Sequence, residues 1–581
     1  MLTLLVNLLS QTAEGPSQTI MAHLNSWLFL AIDLVLIILC VLRYIHSALK
    51  YRQYRFDLHQ RLPPTYPSLI PFLEPIILFL WDAPKFLKGA TSYAGSLTST
   101  CIHFFPGHKI LFFQDPETIQ HIWKQSDKFN TVRMRVYAYK YLFGMPKKWA
   151  SVYEADDSGP FPKPLQGSNV APEKRIHRFL AEGIDKALTG PGFAPTLSRL
   201  QKAYVNQMSN LEIGQEWSEF EDFRRLIHMT TGQSTIEAIF GPNLVRLNPD
   251  FMEDLFQFDR ALPWLSKGIP RFIMPTVYRT REKLHDNFVT WYKYARENFQ
   301  DHLIYKDGDG DPFWGSNWMR QRQKTLAHIQ DDITLASSDL GIAWASTENM
   351  VRNTVMAMIH ILQDKNLVHR VRQELHDSFG DQDIKDIDPK LLGSNPLLSS
   401  IYAETLRLHV KTYTIIYSSH SNVPLGRYLL PKSSVGLVNS HFSHMNTDFW
   451  NTQNGLHPLD SFWADRFITD PADQSSGPLS PERRKITTAS ATQIVSREHS
   501  GLHFSTDGLD GSWIPYGGGR LMCPGRFLAK NSMIFTFATL VSEFDIEFKV
   551  DNIELESKSF GFGTDSPKKP VPFRIRRWRR E

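Results

Sequence analysis

One cysteine near the end of the chain stands in a segment whose residue types suit a charged sulphur. Residues 513–530 read WIPYGGGRLMCPGRFLAK, with three glycines before Cys523 and a helix-favouring run from Arg526. Glycine lets backbone N–H groups converge on one point, and a helix N-terminus supplies further unpaired donors. Both features stabilise an anion, and the thiolate is the form of cysteine that binds metal or attacks as a nucleophile. The segment predicts such a thiolate, and the plainer alternative is a buried cysteine in a glycine turn.

Two charged patterns precede this cysteine. The segment IYAETLRLH places Glu404 and Arg407 three residues apart, on one face of a predicted helix, where the side chains can pair. The segment FWADRF follows and contains Arg466. Taken alone, a Glu-x-x-Arg pair is typical of a surface ion pair and carries no chemistry.

The three segments occur in the same order as three motifs of a known superfamily. YGGGRLMCPG resembles the cysteine-ligand loop of the cytochrome P450 superfamily, and Glu-x-x-Arg followed by a second arginine resembles two more of its motifs. The resemblance is to the branch of sterol 7α-hydroxylases and prostacyclin synthase and to its fungal relatives. It implies haem b with Cys523 as the axial iron ligand, and Tyr516, Gly519 and Arg520 among the cofactor-binding residues. It also implies a structural role for Glu404, Arg407 and Arg466, as a buried ionic network behind the haem loop.

A long helical segment, LGIAWASTENMVRN, resembles the distal-helix motif of the same superfamily. Glu348 stands at the position of the usual acid, and Asn349 replaces the usual threonine. The resemblance implies that both are catalytic and manage water and protons on the distal side. Asparagine can donate and accept hydrogen bonds, so a relay through Asn349 is chemically feasible. The alternative is a polar pair on an exposed helix face.

The cysteine loop departs from the superfamily at Leu521, where a basic residue usually binds a haem propionate. Arg520 stands one residue earlier. His177, Arg178 and His420 are further candidates for the propionate contacts, and the sequence leaves the choice between them open.

Composition excludes several classes of protein. The 581 residues include 64 basic and 60 acidic side chains, and a net charge of +4 argues against nucleic acid as the main partner. Three cysteines are too few for a disulfide framework or a cysteine-rich zinc site.

The N-terminal part of the chain predicts a single membrane anchor. Residues 26–42 are almost all apolar, and basic residues follow them, which places the following part in the cytosol. A buried helix or a cleaved signal peptide are the alternatives. We predict a lumenal segment over 1–25, a transmembrane anchor over 26–43, a basic and proline-rich hinge over 44–75 and a haem domain over 76–581 with a mobile insertion over 471–500. By resemblance the membrane is that of the endoplasmic reticulum.

Periodicity predicts helices over 116–126, 174–188, 252–262, 280–303, 331–364 and 395–408, and strands over 109–113, 413–417 and 434–438. The resemblance implies a mainly α fold with small β-sheets, the cytochrome P450 fold, in one large domain.

The function implied is that of a monooxygenase. It would oxidise a lipophilic small molecule, such as a sterol, a terpenoid or a fungal secondary metabolite, with O₂ and with electrons from NADPH-cytochrome P450 reductase. Membrane lipid is a further expected partner. Because of Asn349, a reductase-independent isomerase or dehydratase is an alternative, and a non-catalytic haem-binding protein is another.

Overall fold

The computed structural model describes residues 16–54, 61–92, 99–106, 108–484, 501–556, 560, 561 and 563–579. Helices dominate these residues and the strands are short, so the predicted mainly α fold with small sheets is confirmed. The chain divides into two units. The first comprises residues 1–115 with 424–430 and 434–436, and the second comprises 116–423, 431–433 and 437–581.

The helices are α1 (Pro16–Tyr54), α2 (Leu73–Ser92), α3 (Pro116–Lys124), α4 (Val132–Tyr137), α5 (Lys147–Ala155), α6 (Ile176–Leu188), α7 (Phe193–Ser209), α8 (Phe223–Ile227), α9 (Gln233–Phe240), α10 (Pro242–Leu247), α11 (Phe251–Ser266), α12 (Pro275–Asn298), α13 (Asn317–Leu326), α14 (Asp332–Gln363), α15 (Lys365–Phe379), α16 (Pro389–Leu392), α17 (Pro396–His409), α18 (Ser440–His444) and α19 (Arg526–Glu543). Two π-helical turns, Ala138–Leu142 and His228–Gly232, continue α4 and α8.

The strands are β1 (Thr100–Phe105), β2 (His108–Phe112), β3 (Ser218–Phe220), β4 (Tyr413–Tyr417), β5 (Val423–Leu425), β6 (Tyr428–Leu430), β7 (Val435–Asn439), β8 (Ile468–Thr469), β9 (His503–Phe504), β10 (Phe544–Phe548) and β11 (Phe573–Arg577). In the first unit β1 and β2 form an antiparallel hairpin. In the second unit β11 pairs with both β10 and β3, and all three strands are antiparallel to their neighbours.

The first unit contains the predicted anchor. Its helix α1 begins at Pro16 and continues through the basic residues after the apolar run to Tyr54, so it is longer at both ends than the predicted 26–43. The first part of the predicted hinge over 44–75 is therefore helical. Among the described residues, one stretch is long and apolar enough to cross a membrane, Trp27–Gln53 of α1. Large apolar side chains there, such as Trp27 and Ile37, are exposed. The proline-rich residues 61–72 that follow form no helix, and residues 1–15 lie outside the described residues.

The second unit is built around α14, a helix of 32 residues that begins where the Asp331 carboxylate accepts a hydrogen bond from the Thr334 N–H. The N-terminal half of α14 packs in a core shared with α11, α12 and α13. The C-terminal half packs in a second core, shared with α17, α19 and the sheet of β3, β10 and β11. A polar group near the middle of α14 is therefore held between two rigid cores.

The helices predicted from periodicity agree with α3, α6, α11, α12, α14 and α17, with shifts of a few residues at the ends. The predicted strands agree with β2, β4 and β7. In the segment 471–500, Leu479 is buried in the second core and pairs with Trp450. That segment is therefore packed around Leu479, and residues 485–500 lie outside the described residues.

Candidate functional site

The cysteine loop, residues 513–525, lies against α3 and the turn after it. A Cβ atom on Gly518 would meet the Trp123 ring at 2.5 Å, and one on Gly519 would meet the Ser126 hydroxyl at 2.5 Å. Gly519 also has a φ of +60°, a conformation that L side chains rarely adopt. The glycines are needed because the backbone approaches α3 closely and turns sharply, and this fixes the path of the loop.

The loop places the Cys523 sulphur next to two backbone N–H donors. The Cys523 N–H donates to the Tyr516 carbonyl at 3.0 Å, which closes the loop. The backbone N–H groups of Gly525 and Arg526, at the start of α19, point to the sulphur. Cys523 is an exposed residue, yet protein atoms surround its sulphur, and this desolvation raises the pKa of the thiol while the two N–H groups and the Arg526 guanidinium partly offset the rise. A cation bound at the sulphur would complete the stabilisation of the thiolate.

Two hydrogen bonds fasten the loop to its surroundings. The Tyr516 hydroxyl lies 2.8 Å from the hydroxyl of Tyr402, on α17. The Ile514 N–H donates to His444 Nε2 at 3.0 Å. Because α17 also carries Glu404, the two sequence motifs that lie more than a hundred residues apart are joined through direct contacts.

Glu404, Arg407 and Arg466 form one fully buried network. Arg407 donates to both Glu404 oxygens at 2.6 and 2.8 Å, and Arg466 Nε donates to Glu404 Oε1 at 3.0 Å. The remaining guanidinium N–H groups reach carbonyls, including Leu459 O from Arg407 and Asn451 O from Arg466. All three side chains are 0% exposed. Buried charges of this kind are tolerated because each one is paired and hydrogen-bonded.

The middle of α14 has one accessible face. Ala345 is exposed, although most of the helix is buried. Asn349 lies one turn further along the same face, and its Oδ1 would stand 2.3 Å from a Cβ on Gly563. Next to it, Asn353 Nδ2 donates to both the Asn349 carbonyl and the Thr564 hydroxyl, each at 2.8 Å. The Asn349 amide is therefore positioned by close packing against a glycine of the C-terminal segment.

Glu348 does not share this face. Its side chain is 1% exposed, with Oε1 at 3.1 Å from His228 Nδ1 and Oε2 at 3.6 Å from Arg224 Nη2. Arg224 and Arg352 both bind Asp259 Oδ2 at 2.5 Å. Although burial opposes ionisation, these two guanidinium groups hold the pKa of Asp259 below its usual range. We call these five side chains the distal cluster.

Of the distal cluster, only Glu348 was predicted. The other members come from α8, the π-helical turn after it, α11 and the second half of α14, and no motif marks them. The one available signal was the presence of basic residues in apolar helical segments, because buried charges require partners.

Leu521 is half-buried and brings no charge to the loop. Arg520, beside it, is exposed, and its guanidinium lies 5.2 Å from the Phe161 ring centre. Arg178 is engaged in an ion pair with Glu182 at 3.3 Å. Arg520 is therefore the cation of the loop that is available for an anionic group.

His177 is buried and lies 3.0 Å from Arg135 Nη1. Burial, with Arg135 nearby, lowers the pKa of His177 to about 4, so this histidine is neutral at neutral pH. His420 lies 3.3 Å from Asp157. Arg135, which the sequence did not single out, is brought next to one of the predicted residues and adds a second cation to the candidates.

The residues present fit a haem iron site. The cysteine is exposed and meets backbone N–H donors, which is the environment a metal-bound thiolate requires. The loop is held by the buried network behind it, so the sulphur has a fixed position. A single thiolate ligand of this kind is one of the ways in which proteins hold haem iron.

Comparison with known proteins identifies the family of the chain. The sequence pattern of the cytochrome P450 family matches residues 200–470. The chain is 30% identical over 536 residues to cytochrome P450 monooxygenase efuG of Hormonema carpetanum, covering 89% of this chain and 90% of the relative. It is 30% identical over 538 residues to cytochrome P450 monooxygenase fsoE of Humicola fuscoatra, covering 89% and 87%. Cytochrome P450 7A1 of Oryctolagus cuniculus is 23% identical over 369 residues, which cover 58% of this chain and 63% of that protein. The chain belongs to the cytochrome P450 family.

Proposed function

We propose that this protein is a haem-thiolate monooxygenase that inserts one oxygen atom from O₂ into a lipophilic small molecule. The observation that carries the proposal is the Cys523 thiol, which lies among backbone donors in a loop fastened to the buried Glu404 network. The names of the similar proteins efuG and fsoE, both cytochrome P450 monooxygenases, support the reaction type. Haem b, when bound at Cys523, supplies the chemistry of oxygen activation.

The protein's own residues have separate tasks in this proposal. The N–H groups of Gly525 and Arg526 donate to the Cys523 sulphur and would stabilise its thiolate when it holds the haem iron. The Asn349 amide, fixed against Gly563, offers a donor and an acceptor on the accessible face of α14. Glu348, on the buried side, is the proposed distal acid, with its Oε1 3.1 Å from His228 Nδ1. Arg520 and Arg135 are the cations proposed for the haem propionates.

Membership of the family supports proposals for the substrate class and the electron donor. A lipophilic substrate such as a sterol, a terpenoid or a fungal secondary metabolite is proposed, and NADPH-cytochrome P450 reductase is the proposed partner. We further propose that α1 anchors the protein in the endoplasmic reticulum membrane with the second unit in the cytosol. The exposed apolar side chains of Trp27–Gln53 support this anchor.

The activity is tested by expressing the full chain with the reductase in microsomes and supplying extracts of candidate lipids. We expect an oxidised product that requires both NADPH and O₂ and carries ¹⁸O from labelled O₂. A Cys523→Ala variant is the matched control and is expected to form no product. Product without label, or product from the Cys523→Ala variant, would contradict monooxygenation.

A second candidate function is supported by one residue. Asn349 replaces the threonine usual at this position, so an isomerase or dehydratase of the same fold is the alternative. Such an enzyme would form product without O₂ or NADPH, and the same microsomes under argon distinguish the two reactions.

The anchor is tested by deleting residues 1–42. We expect most of the protein to move from the membrane pellet to the soluble fraction. An unchanged membrane fraction would contradict the anchor.

A further inference from the structure

His228 makes two contacts that together determine where its protons lie. Its Nε2 atom is 2.9 Å from the backbone carbonyl of Met252. A carbonyl oxygen only accepts hydrogen bonds, so Nε2 must carry a proton. In a neutral histidine Nδ1 is then a bare acceptor, and this is the atom that faces Glu348.

Nδ1 of His228 and Oε1 of Glu348 are 3.1 Å apart, and both residues are almost completely buried. Two bare acceptors at this distance repel each other, and in a buried site water does not screen that repulsion. One additional proton, on the nitrogen or on the carboxyl, removes the repulsion. The geometry therefore requires that the pair holds one proton more than a neutral histidine beside an ionised glutamate would.

This proton is loosely held. Within the described part of the chain, no well-directed hydrogen bond reaches either Glu348 oxygen or His228 Nδ1. A buried polar group that lacks such a bond is uncommon and demands an explanation, and a catalytic role is one of the recognised explanations. The contact is close enough for a proton to pass and too poorly aligned to trap it.

The charged side chains around Glu348 and His228 form ion pairs with one another. Arg224 and Arg352 bind Asp259, and Arg224 also approaches Glu348 Oε2 at 3.6 Å. Glu253, on α11, acts on His228 at longer range. These groups stay ionised through their pairing, so the exchangeable proton of the distal cluster belongs to Glu348 and His228.

Solvent reaches the edge of this cluster. A cleft of about 360 Å³ is lined by Arg224 and Phe256, together with Arg260, Glu556 and Lys568. The Phe256 ring centre lies 5.1 Å from the His228 ring centre and 4.9 Å from the Arg224 guanidinium. The cleft therefore ends at side chains that touch both His228 and Glu348.

We propose that His228 is a positioning residue that keeps one proton at the Glu348 carboxyl, and that the cleft at Arg224 and Phe256 supplies its replacement from solvent. The proposal rests on the proposed function, since a monooxygenase consumes protons as O₂ is reduced. Glu348 gives up the shared proton to the reaction that consumes it, and His228 and Glu348 become bare acceptors. One proton from solvent on the cleft side returns to the pair, which restores its starting state, and no electron is transferred.

The first test locates the proton without turnover. Histidine is labelled with ¹⁵N in the full-length holoenzyme, and spectra of the diamagnetic ferrous carbon monoxide form are compared with those of His228→Gln. The signals that are absent from the His228→Gln spectra belong to His228. We expect these signals to show a protonated Nε2 and an Nδ1 that is protonated or hydrogen-bonded. The Nδ1 signal should move to the bare-acceptor position in Glu348→Ala. A bare Nδ1 in the wild-type enzyme, or an Nδ1 signal that Glu348→Ala leaves unchanged, would overturn the proposal.

The second test measures proton delivery. In His228→Gln the side-chain amide keeps a donor for the Met252 carbonyl while Nδ1 is removed, so the fold is expected to survive. His285→Gln is the matched control, because His285 is buried and bonds the Phe143 carbonyl at 2.8 Å in the same manner. We expect the product formed per NADPH to fall at least about tenfold in His228→Gln, with a larger solvent deuterium isotope effect, and to change little in His285→Gln.

Equal losses in the two variants would overturn the role of His228. If the wild-type enzyme forms no product at all, the proposed function fails, while the ¹⁵N spectra still decide where the proton lies.

Discussion

The two buried ionic networks of this protein differ in how completely their hydrogen bonds are satisfied. In the proximal network, every charged group of Glu404, Arg407 and Arg466 meets a partner at hydrogen-bond distance. In the distal cluster, Asp259 is as well paired, but the carboxyl of Glu348 has contacts without a well-directed bond. A fully satisfied network holds a scaffold in one position, whereas an incompletely satisfied one leaves a proton able to move.

The largest expected effect comes from breaking the proximal network. Glu404→Ala leaves two buried guanidinium groups without their carboxylate, so we expect a loss of about 5 kcal/mol in unfolding free energy and little haem retained. Denaturant unfolding in detergent and the haem content measure this. As a control, Arg370→Ala removes an ion pair with Asp465 that is partly exposed, and it should change stability by less than about 1 kcal/mol. Similar losses in both variants would contradict the scaffold role.

Breaking the well-paired part of the distal cluster should also lower the unfolding free energy, but by a smaller amount. Asp259→Asn removes the charge that neutralises Arg224 and Arg352, while its amide oxygen still accepts a hydrogen bond. We expect a loss of about 3 kcal/mol, measured by denaturant unfolding. A stable Asp259→Asn protein would show that these arginines have other sufficient partners.

Lowering the pH should reduce the stability of the folded protein through His444, which lies on the proximal side. Burial, with Arg407 nearby, lowers the pKa of His444 well below its usual 6.5, so the folded protein keeps this residue neutral. The unfolded chain binds the proton below about pH 6.5, and stability therefore falls as the pH drops through that value, by about 1.4 kcal/mol per pH unit. His444→Gln can still accept from the Ile514 N–H and should flatten this slope. An unchanged slope between pH 6.5 and 5 would contradict the assignment.

The smallest effect on stability is expected at Glu348. Glu348→Gln keeps the shape of the side chain and removes its acidic proton, so the unfolding free energy should change by less than about 1 kcal/mol. Product formed per NADPH should nevertheless fall at least about tenfold. A large loss of stability would place Glu348 with the scaffold and remove the contrast between the two networks.

The sequence predicted the proximal network better than the distal cluster. Glu404 and Arg407 share one helix at a spacing of three, so their contact followed from helix geometry. Arg466 was placed beside them only by resemblance to a family pattern. The length of α14 was predicted from periodicity, because its two halves are buried in two cores and carry long apolar runs.

The distal cluster could not be predicted in this way. Asp259 meets Arg352 across 93 residues of sequence, and that pairing exists only after α8, α11 and α14 have packed together. The spacing of residues along the chain does not predict such long-range contacts. The resemblance placed Glu348 and Asn349 together as a catalytic pair, whereas adjacent positions on a helix point about 100° apart, and the structure separates them onto a buried and an accessible face.

The most direct test of the central claim is the absorbance of the reduced carbon monoxide complex of the full-length protein. If Cys523 is the axial ligand, the wild-type protein will show the red-shifted band of a thiolate-bound haem, and Cys523→His will show the band at the shorter wavelength of a histidine-bound haem. A red-shifted band that persists in Cys523→His would contradict the assignment of the ligand and with it the proposed function.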